Sequence, residues 1–283
     1  MKIIGHRERQ DMLLNAVRNN RVHSSYLFVG QSGIGKRQVA LYFAQMLNCL
    51  AIEKSGFPCG KCRSCRKIES GTHPDVATIS LLEDKSFISI DQIKEMISGL
   101  QYRALEGKYS VRIIDDCHLI QDVAANSLLK VLEEPPANTV IILITSSPRT
   151  LPQTILSRCV SMYFGSFTEQ EIRAELKKKG VPESSENFIV SASSGSLGRA
   201  ISLVRDSEFI ESHKNIIEDF VRGKLPEKRI DRKKTAEFLD ILACFVRYKV
   251  PEKLEEVLLT KSYIRKNVNI ELALELLRIE MKE

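Results

Sequence analysis

A parallel β-sheet core wrapped by helices, followed by an all-helical C-terminal part, is the fold class this sequence predicts. Three observations carry it. Short, continuously apolar runs alternate with amphipathic segments through the first half. A glycine-rich turn, Gly30-Gln-Ser-Gly-Ile-Gly-Lys36-Arg37, follows one such run and opens a helix-patterned stretch. From Ser207 to the end the periodicity is helical.

Taken in order, Tyr26–Val29 is an apolar strand that runs into the glycine turn. Val39, Ala40, Phe43, Ala44 and Leu47 then recur at helical spacing between Arg37 and Asn48. Val76–Ile79, Val111–Ile114 and Val140–Ile144 read as further strands, continuously apolar as strands covered on both faces are. Ala124, Ala125, Leu128, Leu129 and Leu132 form one helical face, closed by Pro135-Pro136. The character changes near Phe164-Gly165. Thr168-Glu-Gln-Glu171 is a capping box for a helix reaching about Lys179, with Gly180 as its stop. Ser193-Ser-Gly-Ser196 starts a short helix through Val204, and Asn269 caps a last one. The charge run from Arg222 to Lys234 holds a Gly and a Pro and reads as a solvated loop rather than a nucleic-acid patch. These signals divide the chain into a core over 1–166 with a cysteine module at 49–65, a small helical segment over 167–206 and a helical domain over 207–283.

A chain of 283 residues, 43% hydrophobic, can bury a core split over two or three domains. The formal charge of +6 is a mild basic bias, compatible with work near nucleic acid and equally with an ordinary solvated surface. Of seven cysteines, four cluster and Cys117, Cys159 and Cys244 sit in apolar company, which suits a reducing cytoplasm better than a disulfide scaffold. The first residues turn polar at once, so no secretory apolar region is predicted. The longest strongly apolar run, Val140–Ile144, is far too short to span a bilayer, and no membrane partner is expected.

Two motifs carry chemistry. Gly30, Gly33, Gly35 and Lys36 lie on a strand–turn–helix, where backbone amides and a helix N-terminus favour an anion and Lys36 adds a cation. The bland alternative is a glycine turn without a ligand. Arg37 stands where a working phosphate loop has Ser or Thr. A hydroxyl lends a lone pair to Mg²⁺, whereas a guanidinium has no acceptor, so the expectation is nucleotide binding without efficient hydrolysis. Asp115 and Asp116 end the strand Val111–Ile114. Asp115 is placed to hold a nucleotide's Mg²⁺; Asp116 is one methylene shorter than the Glu that orients water in active ATPases. Ordinary solvent-facing carboxylates are the alternative for both.

The second motif is Cys49 with Cys59-Gly-Lys-Cys62-Arg-Ser-Cys65. Two successive Cys-x-x-Cys steps and a fourth thiol predict one tetrahedral Zn²⁺ with no open position, hence a structural metal. The intervening Lys61, Arg63, Arg66 and Lys67 cannot be buried and are expected to lower the thiol pKa values. A redox Cys-x-x-Cys pair is the competing reading, and His73 is a possible substitute ligand. Arg158, in Thr154-Ile-Leu-Ser-Arg-Cys159, lies beyond the fourth strand, away from its own phosphate loop. Alone it is a surface arginine.

It does not stand alone. Ala124-Ala-Asn-Ser-Leu-Leu-Lys-Val-Leu-Glu-Glu-Pro-Pro136 and Leu151-Pro-Gln-Thr-Ile-Leu-Ser-Arg-Cys159 resemble the clamp-loader branch of the AAA+ proteins. With the four cysteines and Gly71-Thr-His-Pro-Asp75, the resemblance is to its delta-prime type in bacterial DNA polymerase III. It is close over roughly residues 1–205 and one of character beyond. It implies an AAA+ P-loop core with a zinc-binding insert, a small helical lid and a helical collar that assembles a ring with the motor (gamma/tau) and delta subunits. That ring loads the sliding clamp on primed DNA. The resemblance further implies that Arg158 acts in trans, as an arginine finger at a neighbour's ATP site. Ser146 or Ser147 falls at the sensor 1 position. Gly198 stands where motor subunits carry the sensor 2 Arg, with Arg199 one place along, a third departure beside Arg37 and Asp116. A polymerase activity would belong to the holoenzyme alone. The alternative is an autonomous AAA+ ATPase, a motor subunit or a DNA-repair protein.

Overall fold

The computed structural model describes residues 3–52, 56–82, 85–100, 103–205, 220, 232–265 and 268–281. The chain divides into two compact units, 1–166 and 167–283. The first runs α1 (Arg7–Arg18), β1 (Ser25–Val29), α2 (Lys36–Asn48), α3 (Arg63–Glu69), β2 (Val76–Ile79), α4 (Ile90–Ser98), β3 (Ser110–Ile114), α5 (Asp122–Glu133), β4 (Thr139–Thr145), the single turn α6 (Gln153–Leu156) and β5 (Val160–Tyr163).

All five strands are parallel, in the order β2-β3-β4-β1-β5. The central β1, β3 and β4 are buried along their whole length, in keeping with their largely apolar runs, and β3 buries Arg112 with them. The expectation of full burial fails at β2, where only Val76 is buried, because β2 is an edge strand with one neighbour. Strand β5 is the other edge and shows exposed Val160 and Tyr163. Only Met162 of β5 is buried, so the strand lacks the continuous apolar run that predicts a central strand. One face of the sheet packs on α4 and α5 through Ile93, Met96, Ala124, Leu128 and Leu132. Helix α2 buries Val39, Ala40, Phe43, Ala44 and Leu47, the face its spacing predicts.

Among the described residues the second unit contains α7 (Glu169–Lys178), α8 (Glu183–Ser193), α9 (Leu197–Arg205), α10 (Arg232–Lys249), α11 (Leu254–Arg265) and α12 (Ile270–Glu280). The Thr168–Glu171 capping box closes in both directions, and Gly180 takes φ 71° just past the helix end. Ser193 ends α8 instead of starting the next helix; Ser194 and Gly195 turn the chain in the left-handed region before α9. Asn269 Oδ1 accepts the N–H groups of Glu271 and Leu272, capping α12. The expected lid and collar segments fall together in this unit, with a core around Phe220, Phe238, Leu242, Val257 and Leu277. Of the charge run expected to loop, 222–231 lie outside the described residues, while Arg232–Lys234 already form the first turn of α10. Among the described residues no helix is long and apolar enough to cross a membrane.

Candidate functional site

The parallel sheet carries the glycine loop, Asp115 and Ser146 to one edge, because each follows the C-terminal end of its strand. β4 lies between β1 and β3, which sets Thr145-Ser146-Ser147 between the loop and the carboxylates. The Gly30 N–H donates to the Thr145 carbonyl at 3.1 Å, tying the loop to that strand end. Gly30 has no room for a side chain: an added Cβ would stand 2.6 Å from the Phe164 carbonyl oxygen and 2.8 Å from Ile34 Cδ1. Gly33 and Gly35 adopt φ of 74° and 95°. Ile34 is fully buried beneath the loop, and its carbonyl accepts from His6 Nε2 at 2.7 Å.

Lys36, itself buried, donates to the carbonyls of Gly30 and Gln31 at 2.6 and 2.7 Å. Burial lowers its pKa against the opposing pull of Asp115 and Asp116. A phosphate entering the loop has to draw Nζ from these carbonyls. Burial and the charge of Asp116 raise the pKa of Asp115, while the Arg37 guanidinium works the other way. Arg37 thus supplies positive charge toward the carboxylate that a divalent cation would otherwise meet. Asp116 sits at φ 49° and its N–H donates to Asp115 Oδ1 at 3.2 Å. Its type fits that backbone, since Asp is among the few non-glycine residues that enter the left-handed region readily.

The four cysteine sulfurs converge: those of Cys49, Cys59, Cys62 and Cys65 all lie within 4.8 Å of one another, and none is in a disulfide. Tetrahedral Zn–S bonds of about 2.3 Å place sulfurs closer still, so a small contraction suffices. Backbone N–H groups point at the sulfurs: Cys59 N to Cys49 Sγ and Cys62 N to Cys59 Sγ, each 3.3 Å, and Cys65 N to Cys62 Sγ, 3.4 Å. Amides so placed stabilise thiolate charge. They also correct the expectation about the basic residues. The Cys59 thiol is pulled down to about 6 by the amides of Lys61 and Cys62, whereas burial raises Cys49 and Cys65. Arg63 and Lys67 turn instead to Glu106, at 2.7 and 2.6 Å.

His73 is not a ligand in this arrangement. It is buried, its Nδ1 accepts the Asp75 N–H at 3.1 Å, and Nε2 is left to donate to Ser64 Oγ at 3.2 Å. The Asp75 carboxylate accepts three backbone N–H groups, from Leu105, Glu106 and Gly107, at 2.7–2.8 Å. Asn48 grips Tyr109 N and O from the end of α2. A polar frame therefore joins the cysteine module to the segment entering β3. The residues His73-Pro-Asp75 hint at a turn, but the three-amide grip needs the fold to be seen.

Arg158 lies in the turn before β5, at the N-terminal edge of the sheet. The glycine loop follows the C-terminal end of the neighbouring β1, so the four-residue pairing of these strands, roughly 13 Å, separates the two. Arg158 Nη1 donates to the Thr154 carbonyl at 2.8 Å, and Nη2 lies 2.5 Å from Glu133 Oε1. The Arg158 side chain is a third exposed. Glu133 is a partner that sequence reading missed, since it ends α5 and precedes Arg158 by an entire strand and loop. Gly198 and Arg199 lie on α9 of the second unit.

A protein-family model described as "DNA polymerase III, delta subunit" matches residues 5–168. DNA polymerase III subunit delta' of Bacillus subtilis is 34% identical over 206 residues, 73% of this chain and 61% of that protein. DNA polymerase III subunit tau/gamma of Haemophilus influenzae is 35% identical over 174 residues, 62% of this chain and 25% of that protein. The chain thus spans about a quarter of the length of that tau/gamma relative. Among solved structures, a DNA polymerase III gamma subunit-related protein from Thermotoga maritima shares the fold, with a TM-score of 0.57 at 17% identity, covering 96% of this chain and 98% of that one.

Proposed function

This chain belongs to the DNA polymerase III clamp-loader family, and from that membership we propose that it is a delta-prime-type subunit with little or no ATP hydrolysis of its own. In this reading it joins the motor (gamma/tau) and delta subunits, helps load the sliding clamp on primed DNA, and lends Arg158 to a neighbour's ATP site. The observation that carries the reading is Arg37. It replaces a metal-ligating hydroxyl with a cation whose charge bears on Asp115. Asp116 and Gly198 depart from a hydrolytic site in the same direction, and Arg158 stands at the sheet edge opposite its own loop.

Within this function the loop, Lys36 and Asp115 hold a nucleotide weakly or leave the site to structure alone. The four cysteines hold a structural Zn²⁺, which supplies cross-linking rather than chemistry because every thiol is engaged and no coordination position stays open. Arg158 brings planar, fixed positive charge to a phosphoryl group in another subunit; such fingers are worth roughly 10³–10⁵ in rate at their own site.

A steady-state ATPase assay on the isolated chain tests the subunit class. Negligible Mg²⁺-dependent turnover is expected. Vigorous turnover that Lys36→Ala abolishes would instead establish the autonomous ATPase, which the intact glycine loop and the tau/gamma similarity favour.

A further inference from the structure

We propose that Glu133 is the positioning residue for Arg158, an inference that rests on the trans-acting role of Arg158 proposed above. Helix α5 ends at Glu133 with Glu134 as its C-cap, two acids where the helix dipole favours cations. Local preference does not explain an acid there; the guanidinium 2.5 Å from its carboxylate does. An unrestrained arginine samples many rotamers, and fixing it costs side-chain entropy. Glu133 and the Thr154 carbonyl meet that cost within this chain, before any neighbour arrives.

The hold leaves the working edge of the side chain available. Of the five N–H donors of a guanidinium, Nη1 serves the Thr154 carbonyl and, at 3.4 Å, Ser157 Oγ, while Nη2 lies in an ion pair with Glu133. Among the described residues Nε has no hydrogen-bond partner, so this donor stays available to a phosphate oxygen. The partners come from two different elements, the end of α5 and the turn of α6, so the orientation of Arg158 is set by how the fold joins them. Glu133 itself touches no reacting atom in this scheme. It acts through Arg158.

The test is the complex reconstituted with the motor and delta subunits, clamp and primed DNA, measuring ATP turnover against ATP concentration at matched assembly. Arg158→Ala defines the part of the rate that depends on the finger. Glu133→Ala is expected to reduce that part about tenfold, the scale of a small misplacement at a reacting centre, through kcat with KM unchanged. Glu133→Gln keeps an acceptor and should recover part of the loss. The double variant Glu133→Ala/Arg158→Ala should be no slower than Arg158→Ala. A double variant slower than Arg158→Ala would mark Glu133 as merely structural, and an unchanged or faster Glu133→Ala would likewise overturn the inference while the finger stands. If Arg158→Ala is itself silent, the trans reading falls and the positioning role falls with it.

Discussion

Single side chains decide what the phosphate loop does here. With a guanidinium at Arg37 in place of a hydroxyl, no lone pair is offered to Mg²⁺ from the loop. Nucleotide affinity of the isolated chain should therefore be nearly insensitive to Mg²⁺, and Arg37→Thr should make it Mg²⁺-dependent; titrations with and without the metal ion give the comparison directly. At Arg158 the shape of the charge matters as much as its sign. Arg158→Lys keeps the cation but loses the planar fork and one of its two anchors, so it should restore little of the turnover that Arg158→Ala removes. Rates equal to wild type with Lys would make Arg158 a generic surface cation. Asp75 is a third decisive residue, for stability. Burial pushes its carboxyl up, but three amide hydrogen bonds outweigh this and hold it below the ordinary 3.8. A depressed carboxylate contributes stability that is present above about pH 4 and is lost as pH falls through its lowered pKa. Asp75→Ala should cost about 3 kcal/mol near neutral pH, since it strands three N–H groups, and the deficit should shrink in acid. A pH-independent deficit in thermal unfolding would contradict the assignment of the charge.

Helix α3 and the segment before β3 behave as one element joined by charge and by the cysteine cluster. Arg63 and Lys67 reach Glu106 from the helix that Cys62 caps and Cys65 anchors, and the same segment is gripped by Asp75 and Asn48. A metal ion held by the four cysteines would tie down the sulfur end of this frame, while the sheet has its own burial. Chelation or Cys62→Ser should therefore speed hydrogen exchange at the amides of residues 105–109 and leave those of β1, β3 and β4 protected. Equal loosening of the central strands would show that the metal holds the whole core, and no change at 105–109 would show the frame to be independent of it. The convergence of the four cysteines was legible from spacing alone, because thiols on one short stretch obey a local rule. So were the central strands and α2, α5 and α7, whose burial period or capping box lies within one stretch of chain. What escaped was non-local. Strand β5 depends on pairing with β1 and exposes Val160 and Tyr163. The Asp75 grip spans 30 residues and the Glu133–Arg158 pair joins two elements across β4, so no window of sequence contains either.

On the scale of the whole chain, the two units have cores of their own, one between the sheet and its helices and one around Phe220, Phe238 and Leu277. The proposed collar role falls on the second. Helix α12 turns Ala273, Leu274 and Leu277 inward and leaves Leu272, Leu276 and Ile279 about half exposed at spacings of four and three. Those three residues form a continuous apolar stripe, and Leu258, Leu259 and Tyr263 of α11 are exposed in the same unit. Scattered single leucines are ordinary on a surface, but a stripe at helical spacing is what a packed helix–helix contact uses. If ring assembly runs through this face, Leu276→Lys should leave thermal unfolding of the isolated chain nearly unchanged, because the side chain contributes little to the internal core. The same change should sharply reduce incorporation into a complex with the motor and delta subunits, read as native mass after copurification. A matching change at an exposed apolar residue of α1, Met12→Lys, should not. Full incorporation of the Leu276 variant would remove the stripe from the assembly surface and leave the collar role of the second unit without its contact.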